Sequence, residues 1–130
     1  GELAYLFKDN KKITIVKTVT QEELVAYLNQ QVILIMFSRW EGMPLSLLEA
    51  LATGTPALTS KAGEMKYIIK NGENGFAYDD IESSYEQIYN DSLDIQSNYT
   101  KYAETSVASI KDYTLEKVTK HYLRVLKKEV

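Results

Sequence analysis

The sequence predicts an α/β domain in which a parallel β-sheet is flanked by helices. Short apolar runs alternate with helical segments in the order β-α-β-α-β, which is typical of parallel strands joined by helical crossovers. The run "VILIMF", residues 32–37, is continuous and rich in β-branched residues, as expected for a strand covered on both faces. A length of 130 residues suits one domain better than two.

The first predicted strand covers residues 12–17, where apolar and polar residues alternate loosely. A helix is predicted in "TQEELVAYLNQ", because Thr20 can cap it and apolar residues follow at helical spacing. Residues 1–10 resemble the tail of a helix that belongs to an earlier β-α unit. We therefore expect the sheet to lack its first strand or two.

The next predicted helix covers residues 44–53, with Pro44 at its first position and Gly54 just past its end. Further strands are predicted at residues 56–60 and 76–78, and a short helix and a Gly-rich turn lie between them. After Asp79 the chain is predicted to be helical to its end, with caps at Asp91 and Asp112.

The composition excludes several classes of protein. A net charge of −3 gives no basic field for nucleic acid or anionic lipid. The absence of cysteine excludes disulfides, thiolate catalysis and zinc bound by cysteine, and a single histidine excludes a multi-histidine metal site. The longest apolar run is far shorter than the roughly 18 residues of a membrane span, so no transmembrane segment is expected.

Two carboxylates, Glu41 and Glu49, flank the start of the helix predicted after "VILIMF". Ligands of parallel sheets bind beyond the carboxyl ends of the strands, which is where "SRWEGMP" falls. Gly42 permits backbone geometry or a close approach that a side chain would block. The amides of Leu45, Ser46 and Leu47, together with the helix dipole, form an anion site suited to phosphate.

Glu49 lies in an otherwise apolar helix and is predicted to be buried, so it needs hydrogen-bond donors. A ribose diol would supply two, and Glu41 would accept from sugar hydroxyls at the same mouth. The residues alone leave another interpretation open, in which Glu49 pairs with a lysine and Glu41 is an ordinary loop residue or a partner of the helix dipole. Trp40 is either a pocket wall or an apolar plug on the loop.

This segment resembles retaining glycosyltransferases of the GT-B fold, group 1 (GT4) type. The matching residues are Ser38, Glu41, Gly42, Pro44, Leu45, Leu48, Glu49, Ala50, Ala52, Gly54 and Pro56. The likeness extends more weakly to "TVTQEELVAYLNQ", "NGENGFAYD" and "YTLEKVTKHYLRVL", and so covers most of the chain. It implies a Rossmann-like parallel sheet in the C-terminal, nucleotide-sugar-binding domain of a two-domain enzyme.

The resemblance also implies roles for individual residues. Glu41 would be the catalytic residue that contacts hydroxyls of the donor sugar, and Glu49 would hold the ribose. The residues facing the sugar and diphosphate would be Gly42, Met43, Pro44, Leu45 and Ser46. The donor would be a nucleoside-diphosphate sugar, with UDP expected ahead of GDP, and neither a further cofactor nor a metal is expected.

Parts of such an enzyme are expected outside this chain. The chain opens with Gly1 and not Met, so we expect it to be processed or cut from something longer. Residues 1–130 would form a single C-terminal donor-binding domain, truncated at its N-terminal edge and without the acceptor domain and the basic phosphate-binding pair. It would be inactive alone. The full-length protein would be a cytoplasmic hexosyltransferase of bacterial polysaccharide or cell-surface glycan synthesis, held at the inner face of the membrane through its missing part.

The sequence departs from the family pattern at two places. The family's Gly-Gly and Pro-Glu pairs are replaced around Gly63, Glu64 and Tyr67, and Lys17 stands where a glycine usually follows the first strand. These changes favour an alternative, a non-catalytic partner subunit that keeps the fold, whereas intact Glu41 and Glu49 count against it. A nucleotide-sugar epimerase on a related fold is disfavoured by the complete segment between the two glutamates.

Overall fold

The computed structural model describes residues 10–16 and 18–127. Its centre is a three-stranded parallel sheet in the order β1-β2-β3. The strands are β1 (Leu34–Met36), β2 (Ala57–Ser60) and β3 (Gly75–Tyr78). The parallel sheet flanked by helices confirms the predicted fold class, and the strands predicted at residues 32–37, 56–60 and 76–78 are all present within two residues at each end.

Helices connect and cover the strands. They are α1 (Gln21–Leu28), α2 (Leu45–Ala52), α3 (Met65–Ile68), α4 (Tyr85–Ser97), α5 (Tyr99–Ser109) and α6 (Leu115–Leu126), with a 3-10 turn at Glu82–Ser84. α2 joins β1 to β2, and α3 joins β2 to β3, which are the crossovers that parallel neighbours require. The helix predicted at residues 44–53 is therefore confirmed as α2.

Buried side chains form two clusters, one on each face of the sheet. Successive residues of a strand point to opposite faces, so neighbouring residues belong to different clusters. Ala57 and Ala77 belong to the first cluster, while their neighbours Leu58 and Tyr78 belong to the second. The first cluster packs against α2 and α3, and its other members are Leu47, Leu51, Met65, Ile68 and Ile69. The second is completed from α4 and α5 by Ile95 and Tyr102. Helices on both faces hold the sheet in place.

The strand predicted at residues 12–17 is wrong for residues 12–16, and Lys17 lies outside the described residues. Residues 13–16 form no strand or helix, and Ile13 donates its N–H to Asn10 in a turn at 3.0 Å. Ile15 is 46% exposed. Because a strand is defined by its hydrogen bonds to a neighbour, alternation alone cannot form one, and no described strand pairs with this segment. The predicted helix tail at residues 1–10 lies, except for Asn10, outside the described residues.

β1 is less covered than its apolar sequence indicates. Ile35, on the face of the sheet that carries Leu58 and Tyr78, is 61% exposed. The prediction that both faces of this strand are covered is therefore wrong at its centre. The physical reason is its place at the edge of the sheet, where the described helices do not reach this side chain.

The two predicted helix caps are also wrong. Asp91 lies inside α4, where its carboxylate accepts the phenol of Tyr78 at 2.7 Å. Asp112 precedes α6 but pairs with Lys117 at 2.6 Å, and Thr114 caps the helix by accepting the N–H of Lys117. Asp91 is not a cap because α4 already begins at Tyr85, and Asp112 is not a cap because Thr114 occupies that position. None of the helices that the structure describes combines the length and apolar character needed to cross a bilayer.

Candidate functional site

Three loops leave the carboxyl edge of the sheet side by side, because all three strands run in the same direction. We call residues 37–44 the β1 loop and residues 61–64 the β2 loop. Residues 79–81 follow β3. The β1 loop carries Glu41 and leads directly into α2, so the predicted sugar-binding and phosphate-binding residues lie at the edge where parallel sheets bind ligands.

The β2 loop fixes the backbone of the β1 loop. Ser60, at the end of β2, donates its hydroxyl to the carbonyl of Ser38 at 2.6 Å, and the Glu64 amide donates to the carbonyl of Gly42 at 3.0 Å. Gly63 has a φ of +54°, and a Cβ at this position would lie 2.1 Å from the carbonyl oxygen of Glu41. Only glycine fits there, so the backbone at Glu41 is held from one side by direct contact.

The Glu41 side chain itself is half-buried, and its carboxylate receives no hydrogen bond from another described residue. The side chains around it are open to solvent, since Trp40 is 91% exposed and Met43 is 47% exposed. Trp40 therefore does not plug the loop. A carboxylate on a fixed backbone with free oxygens is able to accept hydrogen bonds from ligand hydroxyls.

The start of α2 presents fewer free amides than the sequence predicted. Leu47 donates its N–H to the carbonyl of Pro44 at 3.1 Å, and the Leu48 amide reaches the same oxygen at 3.4 Å. The amides of Leu45 and Ser46 donate to no other described residue, and no side chain caps the helix. The prediction was wrong for Leu47, because its amide closes a tight i to i−3 turn on the carbonyl of Pro44, the cap residue. Two amides remain for an anion at the positive end of the helix dipole.

Glu49 lies on the open side of α2, together with Leu45, which is 69% exposed. The prediction of a fully buried carboxylate was wrong, since Glu49 is half-buried. Its partner is not a lysine, because Gln21 at the start of α1 donates its side-chain N–H to Glu49 Oε1 at 2.8 Å. The other oxygen, Oε2, accepts from no described residue. Glu49 therefore has a fixed orientation and a free acceptor.

Gly42 has open space where its side chain would be. A Cβ at this position would meet no atom within 4 Å, so nothing in the described chain requires a glycine there. The backbone of Gly42 is therefore accessible from outside, as is the neighbouring Met43. Among residues 10–16 and 18–127, no three histidine, aspartate or glutamate side chains converge to hold a metal ion.

Sequence reasoning missed three residues that shape this site, namely Gln21, Ser60 and Gly63. Gln21 contacts Glu49 across 28 positions of sequence, a pairing that no local pattern reveals. Ser60 acts through a hydroxyl at a strand end, where serine is common. Gly63 had a usable signal, since a glycine just after a predicted parallel strand marks a tight turn or a close backbone approach.

Comparison with known proteins agrees with this fold. The class is that of an α/β protein with a candidate site at the carboxyl edge of a parallel sheet. A family model described as glycosyl transferases group 1 matches residues 2–112, which include the three described strands and the two loops. The chain belongs to the group 1 glycosyltransferases.

Curated relatives carry related activities. The chain is 30% identical over 115 residues, 85% of its length, to a probable sucrose-phosphate synthase of Thermosipho melanesiensis, of which the match covers 26%. It is 40% identical over 53 residues to the UDP-Gal:alpha-D-GlcNAc-diphosphoundecaprenol alpha-1,3-galactosyltransferase of Escherichia coli, covering 39% of this chain and 14% of that protein. A Vi polysaccharide biosynthesis protein of Salmonella typhi is 35% identical over 57 residues, covering 44% and 10%. The chain thus spans about a quarter or less of each of these relatives.

Proposed function

We propose that this chain is the C-terminal, donor-binding part of a retaining glycosyltransferase that uses a nucleoside-diphosphate sugar. The observation that carries the proposal is the presence of three groups without described partners along the β1 loop and α2. These are the carboxylate of Glu41, the amides of Leu45 and Ser46, and Oε2 of Glu49. A nucleoside-diphosphate sugar has, in the same order, sugar hydroxyls, a diphosphate and a ribose diol.

Glu41 is assigned to the donor sugar, as the catalytic residue of this chain. Its backbone is held by the contact with Gly63, so its carboxylate projects from a fixed point. A preorganised acceptor of this kind stabilises a transition state better than one that must first be ordered. Its hydrogen bonds to sugar hydroxyls gain strength as positive charge develops on the ring, which raises turnover more than donor affinity.

The diphosphate is assigned to the backbone between Gly42 and Ser46. The free amides of Leu45 and Ser46 supply two donors, and the helix dipole favours the negative charge of the leaving group. Gly42 and Met43 are exposed, and Pro44 sets the direction of the turn into α2. Stabilising the departing diphosphate in this way requires no metal. The family's basic pair is assigned to a region outside residues 1–130.

Glu49 is assigned to the ribose. Gln21 holds one carboxylate oxygen, which leaves the other to accept from a ribose hydroxyl. UDP is the expected nucleotide ahead of GDP. One of the relatives carries UDP-Gal in its name and another is named for polysaccharide biosynthesis, which supports a hexosyl donor and a role in bacterial glycan synthesis.

Transfer would also need an acceptor domain, which we assign to another part of the full-length protein. Residues 1–130 alone are therefore expected to transfer no sugar. The alternative is a non-catalytic partner subunit. The departures from the family pattern at Glu64 and Tyr67 favour this alternative. The contact of Gly63 with the Glu41 carbonyl counts against it, because this contact fixes the backbone of the β1 loop.

The decisive experiment compares Glu49→Gln and Glu41→Gln in the complete protein. Glu49→Gln keeps the shape but removes the charge from a hydrogen bond to ribose, so UDP binding should weaken by about 1.5–3 kcal/mol. Glu41→Gln should leave UDP binding nearly unchanged and depress kcat, because its contact belongs to the sugar. Calorimetry with UDP and steady-state kinetics with UDP-glucose and UDP-galactose measure both effects.

Glu104→Gln on α5 is the matched control, since Glu104 is exposed and lies outside the site. It should change neither binding nor turnover. Equal losses of UDP affinity in the Glu41 and Glu49 variants would contradict the assignment. A Glu49→Gln protein that unfolds would show that the carboxylate mainly ties α2 to α1 through Gln21.

A further inference from the structure

The side chains of Gln21 and Glu49 form a polar pair between α1 and α2. Gln21 donates its side-chain N–H to Glu49 Oε1 at 2.8 Å. An ionised carboxylate only accepts hydrogen bonds, so the donor in this contact has to be the amide nitrogen of Gln21. The chemistry of the contact therefore determines the orientation of the Gln21 amide and puts its carbonyl oxygen, Oε1, next to the bonded nitrogen.

The pair leaves two acceptor oxygens without described partners. A carboxylate has two oxygens and a side-chain amide has one, and a single hydrogen bond joins the two groups. Neither Glu49 Oε2 nor Gln21 Oε1 accepts from a described residue. Each of these oxygens is bonded to the same carbon as an atom of the Gln21–Glu49 contact, so both border that contact. Two neighbouring acceptors match a ligand with two neighbouring donors.

α1 has supports that do not involve the Gln21 side chain. At its start, the Thr20 amide donates to the Glu23 carboxylate at 2.8 Å and the Glu23 amide donates to Thr20 Oγ1 at 3.3 Å, which is a capping box. At its end, the buried Thr55 donates its hydroxyl to the carbonyl of Leu28 at 3.0 Å. Gln21 itself is exposed, so its side chain is accessible to a ligand.

The Gln21–Glu49 pair lies close to the proposed diphosphate site. Glu49 follows the free amide of Leu45 by four residues, about 6 Å along the axis of α2. Side chains of a helix lean towards its N-terminus, which directs Glu49 towards that amide. In a nucleoside diphosphate the ribose follows directly on the first phosphate. A diphosphate on the amides of Leu45 and Ser46 would therefore bring the ribose beside the pair.

We propose that Gln21 is a second ribose-binding residue, which accepts from one hydroxyl of the ribose diol while Glu49 accepts from the other. The proposal rests on the function proposed above and extends its ribose site from one residue to two. One hydroxyl donates to Glu49 Oε2 and its neighbour donates to Gln21 Oε1. The hydrogen bond between the two side chains holds both oxygens in place before the nucleotide arrives, which lowers the entropic cost of binding.

The test measures binding of UDP, 2′-deoxy-UDP and 3′-deoxy-UDP to the complete protein by calorimetry. Each deoxy analogue lacks one donor, so each should bind the wild type about tenfold more weakly than UDP. Gln21→Met keeps the length of the side chain and removes its oxygen. This variant should bind one analogue as tightly as UDP and still discriminate against the other. Glu49→Gln should instead reduce the discrimination against that other analogue.

Gln21→Lys separates contact with the ribose from orientation of Glu49. A lysine ammonium can still donate to Glu49, but it has no acceptor. The Kd of each analogue is divided by the Kd of UDP, which cancels the attraction of the added charge for phosphate. Gln21→Lys should lose the same discrimination as Gln21→Met and retain the other. Any other pattern of ratios overturns the proposal, and a variant with both ratios unchanged would show that Gln21 only orients Glu49.

Gln87→Met on α4 is the matched control, since Gln87 is exposed near the start of a helix outside the site. It should bind all three nucleotides as the wild type does. Failure of the donor site has a different signature. A complete protein that binds no UDP, or a Glu49→Gln variant with wild-type affinity for all three nucleotides, would refute the donor site and this proposal with it. UDP binding that depends on Glu49 but not on Gln21 would overturn this proposal alone.

Discussion

α2 and α6 are both rich in leucine, yet they have opposite environments. In α2, Leu47, Ala50 and Leu51 are completely buried. In α6 no residue is buried, and Leu115 and Leu126 are 83% and 76% exposed. The two helices differ in what they connect. α2 joins two adjacent parallel strands and must lie across the sheet. α6 follows α5, after the last described strand, and connects no strands within the described chain.

An apolar pattern therefore predicts a helix without predicting what covers it. The pattern of α6 is strongly amphipathic, with Leu115, Val118, Tyr122 and Val125 on one side and lysines elsewhere. The pattern of α2 is apolar over most of its surface, and the exposed residues of its first turn, Leu45 and Ser46, belong to the proposed donor site. Stability in the described chain should therefore reside around α2 and the sheet.

The largest effect is expected from truncating the same residue type in the two helices. Leu51→Ala should destabilise the chain by about 2–5 kcal/mol, because it leaves a cavity in the cluster around Ala57 and Met65. Leu126→Ala should cost less than about 0.5 kcal/mol, because its side chain is already in water. Urea unfolding of both variants measures the difference. Equal losses would mean that α6 packs against the body of the protein in solution.

A smaller effect, on the stability of the region around the sheet, is expected at alkaline pH. Burial and the hydrogen bond to Asp91 raise the pKa of Tyr78 well above its usual 10.0, and burial and the hydrogen bond to Asp94 do the same for Tyr102. A raised pKa stabilises the protein below the unfolded value, and this stability is lost as the pH rises beyond it. Stability should thus fall above about pH 10, by about 1.4 kcal/mol per pH unit for each tyrosine.

Tyr78→Phe should make that decline shallower, although the variant is less stable at pH 8, since Asp91 loses its partner. Tyr122→Phe on α6 is the control and should follow the wild-type curve, because Tyr122 is exposed. Urea midpoints between about pH 8 and pH 11 record both slopes. Identical slopes for Tyr78→Phe and the wild type would show that Tyr78 titrates as it does in the unfolded chain.

The smallest effect is expected at the start of α6. The Lys117 ammonium, 2.6 Å from Asp112, lowers the pKa of that carboxyl, so the pair contributes stability above the usual aspartate range and loses it as the pH falls through the lowered value. Both side chains are largely exposed, and exposed ion pairs contribute little. Asp112→Asn should leave the urea midpoint unchanged within error at pH 7, whereas Thr114→Ala, which removes the helix cap, should reduce helicity by circular dichroism.

The sequence predicted correctly those elements whose apolar pattern agrees with their place in the β-α-β order. The strands at residues 32–37, 56–60 and 76–78 follow from short apolar runs, and the helix after Pro44 follows from its proline start and the glycine past its end; all are present. The strand predicted at residues 12–17 is wrong for the described residues 12–16, because a strand depends on a neighbour that alternation does not supply. The caps at Asp91 and Asp112 are wrong because α4 already begins at Tyr85 and α6 is capped by Thr114.

The candidate site divides in the same way. Its place at the carboxyl edge and the free amides of Leu45 and Ser46 follow from the order of elements. The contact of Gln21 with Glu49 and that of Gly63 with Glu41 join segments that are distant in sequence, so local patterns do not identify the partners, although a glycine after a strand indicates a close approach. The roles of Glu41 and Glu49 remain predictions that the glutamine variants will decide.

The fit of Gly63 against the carbonyl of Glu41 has a mechanical consequence. There is no room for even a methyl group between Gly63 and the carbonyl of Glu41, and the Glu64 amide donates to the carbonyl of Gly42. A displacement of the β1 loop therefore also displaces the start of α3. A ligand that draws Glu41 inwards would therefore also shift α3, whose residues Met65 and Ile68 are buried in the core. Occupancy at Glu41 would then be detectable at a distance, as slower amide hydrogen exchange along α3.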